Sequence, residues 1–131
     1  MKIRTGFVTN SSSSSFVVVL KNPQVDLKTK LNSIFAVCEN HPLKLLVNDI
    51  VKRLLSEINS CEKYDLKNIK RLVYNYCDDG ENCEYAQMLL KYGNLSVGSF
   101  SSEGDEVEAF LCMNDLNYED EDILIEHDGG Y

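Results

Sequence analysis

Two histidines limit the acid–base chemistry that this chain could perform. His41 and His127 are the only histidines among 131 residues. An imidazole can activate a serine or cysteine as a nucleophile when the two side chains are within hydrogen-bond reach. Such a site therefore requires the fold to bring a serine or a cysteine to one of them. The Gly-x-Ser-x-Gly pattern of a nucleophile elbow does not occur in the sequence, and no catalytic residue is assigned.

Metal binding would depend on a second set of candidates. Cys38 and His41 have the Cys-x-x-His spacing of a zinc-ligand pair, but no second tight pair follows, and zinc sites normally use two. Acids between Asp115 and Glu126 fall at the ligand positions of a calcium loop, yet Asp120 stands where the sharp turn requires glycine. We expect neither a metal nor a cofactor. An enzyme or metal-dependent module that uses the C-terminal acids remains an alternative.

Carboxylates are abundant, and they are unevenly distributed along the chain. Residues 1–75 carry twelve basic and six acidic side chains, whereas residues 76–131 carry one basic and fifteen acidic ones. Each half alone would attract different partners. The acids could keep the protein soluble, pair internally with the basic helices of residues 26–75, or form a face that docks on a basic surface.

Docking is the functional interpretation of the acidic half. Rows of carboxylates can take the place of phosphates against a nucleic-acid-binding protein, while a net charge of −8 disfavours direct binding to nucleic acid. We therefore expect a protein partner with a basic surface. The residues predicted to contact it are Glu103, Asp105, Glu106, Glu108, Asp115, Glu119, Asp120, Glu121 and Asp122.

Composition predicts one globular domain, residues 1–131, located in the cytoplasm. Hydrophobic residues make up 44% of the chain, which is enough to form a core. No apolar run approaches the ~20 residues that cross a bilayer, and the N-terminal residues lack the continuous apolar segment of a signal peptide. Five cysteines at irregular spacing are typical of reduced thiols rather than of a secreted disulfide scaffold.

The elements that would position these groups begin with β structure. Residues 2–8 alternate weakly and residues 16–20 form a continuous apolar run, so both are predicted strands, the second of them central. Asp26 is the predicted N-cap of a helix that reaches about Cys38. Residues 43–58 have apolar side chains at steps of three and four, which is the strongest helical pattern in the chain.

The second half of the chain changes from helical to β character. Asp65 can cap a third helix, although residues 72–77 would also serve as a strand, and residues 81–92 are predicted to form a helix that ends at Gly93. The remaining predicted strands are residues 95–100 and 107–113, joined as a hairpin, and residues 122–127. This order predicts an α+β fold with N-terminal strands, central helices and a C-terminal β meander. The helices are expected on one face of a mostly antiparallel sheet.

Five consecutive serines at residues 11–15 precede the predicted central strand. A flexible linker joins two independently folded units, and only ten residues come before these serines. We therefore predict an ordered turn or strand edge, cut only slowly by proteases in the native protein. Phe7, Val8, Phe16 and Val18 are predicted to be largely buried.

The string RTGFVTNSSSSSFVV at residues 4–18 resembles the opening of small uncharacterised proteins of Gram-positive bacteria and their phages. Those proteins begin with Gly-Phe-Val-[Ser/Thr]-Asn followed by five serines and Phe. The resemblance implies a bacterial or phage setting inside the cell, and it supplies no activity and no functional residue. We therefore expect a small acidic protein that binds another protein rather than a catalyst. A phage-encoded inhibitor of a nucleic-acid-binding host protein, docked through its acids, is an alternative.

Overall fold

The computed structural model describes residues 13–76 and 83–127, which form an α+β fold as predicted. The strands of this described part are β1 (Ser13–Leu20), β2 (Glu62–Asp65), β3 (Asn94–Ser101), β4 (Leu116–Glu119) and β5 (Ile123–His127). Its helices are α1 (Leu27–Ile34), α2 (Lys44–Ser60), α3 (Ile69–Tyr76, after a 3-10 turn at Leu66–Asn68), α4 (Glu84–Tyr92) and α5 (Glu106–Met113). None of these helices is long and apolar enough to cross a membrane.

The described strands join one antiparallel sheet in the order β2-β3-β1-β5-β4. β1 lies in the centre, with Phe16 opposite Gly98 of β3 on one side and His127 of β5 on the other. The predicted central strand is therefore confirmed, and it begins among the serines, at Ser13. β4 and β5 form the C-terminal meander. The two edge strands, β2 and β4, have four residues each.

Helices cover both faces of the sheet, which corrects the expectation that they lie on one face. On the first face, Phe16 and Val18 of β1 belong to a core that includes residues of α1, α2 and α5. On the second face, Val17 and Val19 belong to a core that includes residues of α3 and α4. The sequence of β1 explains this arrangement, because a strand whose residues are all apolar has apolar side chains on both faces of the sheet, and both faces must then be covered.

Helices α1 and α2 begin close to their predicted starts. Asp26 caps α1 by accepting a hydrogen bond from the Thr29 backbone N–H at 3.3 Å, but α1 ends at Ile34 and does not reach Cys38. In α2 the inner part of the predicted apolar stripe is buried, and its members are Ile50, Val51, Leu54 and Ile58.

The ambiguous residues 72–77 are helical as far as Tyr76, the last residue of α3, and Cys77 lies outside the described residues. Asp65 caps this region, since its carboxylate accepts hydrogen bonds from the backbone N–H groups of Lys67 and Asn68. α4 ends at Gly93 as predicted, and the φ angle of 85° at Gly93 is the left-handed conformation that favours glycine.

The predicted strand at residues 107–113 is wrong, because these residues form α5. Asp105 caps the helix by accepting a hydrogen bond from the Glu108 backbone N–H at 2.9 Å. Glu106 and Glu108 in the first turn complement the helix dipole. A short apolar run is compatible with a buried helix as well as with a strand. Here the N-cap at Asp105 favours the helix. The hairpin expected with residues 95–100 is absent from the described structure, since β3 pairs with β1 and β2 instead.

The burial predicted around the serine run is confirmed where the structure describes it. Phe16 and Val18 are almost fully buried, and the Phe16 ring stacks on Phe100 with centroids 4.6 Å apart. Phe7, Val8 and the predicted strand at residues 2–8 lie outside the described residues.

Candidate functional site

The acids that follow β3 pair with one arginine of α2. Asp105 forms an ion pair with Arg53, and Glu108 lies 3.6 Å from the same guanidinium group. The second oxygen of Glu108 accepts a hydrogen bond from the Ser101 backbone N–H at 2.8 Å. Glu103 and Glu106 are exposed. Two of these four acids therefore connect α5 to α2.

The acids of the β4–β5 turn hold that turn together and attach it to α1. Asp120 and Asp122 both form ion pairs with Lys30. Asp120 also accepts hydrogen bonds from the backbone N–H groups of Asp122 (2.8 Å) and Ile123 (3.0 Å) and from the Tyr118 hydroxyl (2.7 Å). The hydrogen bond from Lys30 holds the pKa of the Asp120 carboxyl well below its usual range.

Glu119 forms an ion pair with Lys21. The hydrogen bond that the Lys21 ammonium group donates to Glu119 lowers the pKa of the Glu119 carboxyl. Asp115 and Glu121 are exposed. At least five of the nine predicted contact acids thus pair with basic side chains of residues 21–53. Internal pairing, one of the three roles considered for the acidic half, accounts for these five.

The two groups of acids lie at opposite ends of the central strand. Ser101, just before the first group, is opposite Ser13, while Ile123, just after the second group, is opposite Leu20. A strand of eight residues at about 3.3 Å per residue spans roughly 23 Å. The nine acids therefore do not form one continuous row.

A groove between α4 and the β4–β5 pair is the site that the sequence analysis missed. It has a volume of about 340 Å³. Side chains of α4 at helical spacing form one wall, and side chains of β4 and β5 form the floor. The lining residues are Glu84, Gln87, Met88, Lys91, Tyr92, Glu119, Leu124 and Glu126. Glu119 is the one residue of this set among the nine predicted acids.

The groove is acidic, with an apolar base. Its lining includes three carboxylates and one lysine, and Met88 and Leu124 are 7% and 6% exposed. Oε2 of Glu84 is buried and has no hydrogen-bond partner among the residues that the structure describes. The arrangement can therefore accept a cationic group. The spacing of Glu84, Met88 and Lys91 was visible in the sequence, but the sheet order that brings β5 beside α4 was not.

A second cavity, of about 420 Å³, opens beside the Arg53 ion pair. Its charged lining residues are Asp49, Lys52, Arg53 and Asp105. Two acids and two bases cancel there, so this cavity has no preference for a ligand of one charge. Of these two cavities, the groove beside α4 is the one whose lining has an excess of one charge, and this charge is negative.

A buried polar cluster lies at the other end of the sheet. The Ser14 hydroxyl is 2.6 Å from Nε2 of His127 and 3.4 Å from the Cys112 sulfur, and the His127 ring packs edge-on against Phe100. Ser14 and His127 are 3% and 1% exposed, and Cys112 is fully buried. The fold thus places a serine in contact with both a histidine and a cysteine, with all three side chains inside the core.

The cysteine and histidine candidates for metal binding are dispersed. Cys38 and His41 are both exposed, and no group of three or more potential ligands occurs within residues 13–76 and 83–127. Cys38, Cys61 and Cys112 are free thiols, and burial raises the pKa of Cys61. Cys83 is disulfide-bonded, so the expectation that the cysteines are reduced does not hold for this one.

Comparison with protein-family models, with curated proteins and with solved structures found no match to this chain. The resemblance of residues 4–18 to bacterial and phage proteins therefore stays a prediction, and the groove and the buried cluster carry the functional argument.

Proposed function

We propose that the protein acts by binding a partner protein with a basic surface, and that the groove between α4 and β5 is the contact. The observation that carries this proposal is the excess of carboxylates in an open cavity with an apolar base. Such a cavity combines charge selectivity with apolar area that a partner can cover. The setting that we propose is the cytoplasm of a bacterial or phage-infected cell.

Binding is favoured over catalysis by the position of the groups that could react. Ser14, Cys112 and His127 are buried, whereas the groove and the cavity beside Arg53 are open and contain none of the three. A nucleophile must be reachable by its substrate in a geometry suited to attack. The open surface therefore has the features of a contact rather than of a reaction centre.

The hypothesis that all nine acids together take the place of a row of phosphates has less support. The acids at residues 103–108 and 119–122 lie at opposite ends of β1, and at least five of the nine are paired internally. An inhibitor of a nucleic-acid-binding host protein would therefore use the groove first. Direct binding to nucleic acid is disfavoured by the net charge of −8.

The test is a capture experiment with matched charge variants. Wild-type protein, Glu84→Gln/Glu126→Gln and Glu106→Gln/Glu121→Gln are immobilised, and retained proteins are quantified by mass spectrometry. Both variants lose two charges, but only the first pair lies in the groove. We expect at least one basic protein to be retained by the wild type and by the control pair and lost from the groove pair. Identical retention by all three forms would refute the groove as the contact.

One distance favours a second candidate, a hydrolase or transferase with Ser14 as nucleophile. Ser14 and His127 are close enough, at 2.6 Å, for the imidazole to accept the hydroxyl proton. A fluorophosphonate probe tests this candidate. Labelling of the wild type that is lost in both Ser14→Ala and His127→Gln, with both variants still folded by circular dichroism, would favour catalysis. We expect no labelling, because the hydroxyl is buried.

A further inference from the structure

We propose that α5 is a lid over Ser14 and His127, that Arg53 of α2 holds this lid closed, and that the closed lid keeps the serine hydroxyl inactive as well as covered. The inference is independent of the groove, which lies on the second face of the sheet. It concerns the second candidate function and supplies the step by which a substrate would reach the two side chains.

Helix α5 contacts the buried serine directly. Cys112, near the end of the helix, is fully buried, and its backbone carbonyl oxygen and its sulfur lie 3.3 and 3.4 Å from the Ser14 hydroxyl. The same hydroxyl lies 2.6 Å from Nε2 of His127. Displacement of α5 would therefore uncover the serine on the side that Cys112 now occupies.

The closed position also directs the serine proton away from the imidazole. A hydroxyl has one proton to donate. When Ser14 donates it to the Cys112 carbonyl, the contact with His127 is one in which Nε2 carries the proton and Ser14 accepts it. An imidazole in that state cannot act as a base toward the serine. Without the Cys112 carbonyl, Nε2 is the remaining acceptor described for this hydroxyl, and the imidazole can take the proton.

The fold allows α5 to move while the sheet stays intact. β3 pairs with β1 and β2, and β4 pairs with β5, so the described strand pairs do not include the helix between them. Within α5, Leu111 and Cys112 are buried, whereas Phe110 and Met113 are exposed. Elements with few buried apolar contacts open at the lowest free-energy cost. Helix α5 therefore has the features of a segment that opens locally.

Arg53 holds α5 at its N-terminal end. It forms an ion pair with Asp105, the N-cap of α5, and lies 3.6 Å from Glu108 in the first turn. The cavity of about 420 Å³ opens beside these contacts and is lined by Arg53, Asp105 and Val107, so packing contributes little there. Ion pairs at partly exposed positions are weak, and a connection of this kind can break without unfolding the core.

Cysteine labelling of the full chain measures the opening. N-ethylmaleimide is added to native protein, and modification of Cys112 is followed by peptide mass spectrometry with the exposed Cys38 as the reaction standard. We expect Cys112 to react at least about tenfold faster than the globally unfolded fraction from urea denaturation permits. Arg53→Gln should raise this rate by roughly threefold or more, and Glu108→Gln should act in the same direction. Lys30→Gln, which removes ion pairs of α1 on the same face, should leave the rate unchanged.

A fluorophosphonate probe then tests the serine. Attack by the Ser14 oxygen forms a bond to phosphorus, fluoride leaves, and the hydroxyl proton passes to Nε2 of His127. We expect Arg53→Gln protein to be modified at Ser14 over a time in which the wild type stays unmodified. Adding His127→Gln to the Arg53→Gln protein should abolish the modification.

Three results would overturn the inference. Labelling of Cys112 no faster than global unfolding would show that α5 is not a lid. Equal effects of Arg53→Gln and Lys30→Gln would show that Arg53 does not hold it closed. Opening at Cys112 without modification of Ser14 would show that the contact with α5 is not what keeps the serine inactive. The proposed function is tested separately, by the capture experiment with the groove variants.

Discussion

The two faces of the sheet use their acidic side chains in different ways. On the first face, Lys30 of α1 and Arg53 of α2 pair with Asp120 and Asp105, so the charges connect segments that are far apart in sequence. On the second face, carboxylates of α4 and β5 line an open groove with Lys21 and Lys91 as its nearby cations. The excess of acid stabilises the fold on one side and leaves a charged cavity on the other.

The difference follows from how far the helices extend over the sheet. The first-face core includes residues of β1, β3 and β5 and packs against Leu116 and Tyr118 of β4. The second-face core includes residues of β1, β2, β3 and Leu124 of β5 but none of β4 within the described structure. Glu119 and Glu126 therefore point into space beside α4 rather than under it, and the groove forms there.

The largest expected change in the free energy of unfolding comes from substitutions that test whether the sheet has a well-packed core on each face. Leu54 of α2 and Leu89 of α4 are both fully buried. We expect Leu54→Ala and Leu89→Ala each to lower the free energy of unfolding by about 2–5 kcal/mol, because each leaves a cavity. Urea denaturation measures the change. A loss below about 1 kcal/mol for Leu89→Ala alone would mean that the second face is loosely covered.

A smaller loss is expected at the buried polar cluster. Ser14→Ala removes the hydrogen bond to His127 and leaves a buried ring nitrogen with one partner fewer, which costs about 1–3 kcal/mol. Ser99→Ala on exposed β3 surface is the matched control, expected within about 0.5 kcal/mol of the wild type. Equal stability of the two variants would show that the 2.6 Å contact contributes nothing.

The first-face ion pairs predict a dependence of stability on pH. The pKa of Asp120 is lower in the folded protein than in the unfolded chain, where it is about 3.9. The unfolded state therefore binds the proton more readily, and the contribution of Asp120 is complete above about pH 5 and declines as the pH falls below 4. Urea midpoints at pH 6 and pH 3 should differ less in Asp120→Asn than in the wild type. An equal decline in both proteins would exclude Asp120 as the source.

The smallest effect is expected in the groove. Glu84→Gln removes a favourable charge at the start of α4 but also removes a buried carboxylate oxygen without a described hydrogen-bond partner. These contributions oppose each other, and we expect the free energy of unfolding to change by less than about 1 kcal/mol. Thermal denaturation provides the measurement. A large destabilisation would assign Glu84 a structural role and weaken the case for a binding groove.

Features that depend on local pattern were predictable from the sequence. The apolar run at residues 16–20 predicted a central strand, the three-and-four spacing in residues 43–58 predicted α2, and Gly93 predicted the end of α4. In each case the residues that decide the structure are neighbours in the chain. The helix at residues 107–113 shows the limit, because an apolar run of that length satisfies either conformation.

Features that depend on distant contacts were not predictable. Ser14 and His127 are 113 positions apart, and only the order of strands places them together. The groove requires the same information, since Glu84 and Glu126 come from a helix and a strand that α5 and β4 separate in the chain. The distribution of charge along the sequence indicates an acidic second half. It does not distinguish Asp120, whose hydrogen bonds stabilise a turn, from Glu84, which lines a groove.

The central position of β1 also has a consequence for how the chain folds. Its segment Phe-Val-Val-Val-Leu has no charge and high β propensity, the composition of an aggregation-prone strand. In the folded sheet it is flanked by β3 and β5, and the exposed edges are four-residue strands that carry charged residues. Both flanking strands, however, are made long after β1, and β5 follows it by about a hundred residues. A ribosome-bound chain would therefore carry this aggregation-prone segment without its β5 neighbour until residues 123–127 have been made, and the sheet should assemble late and slowly.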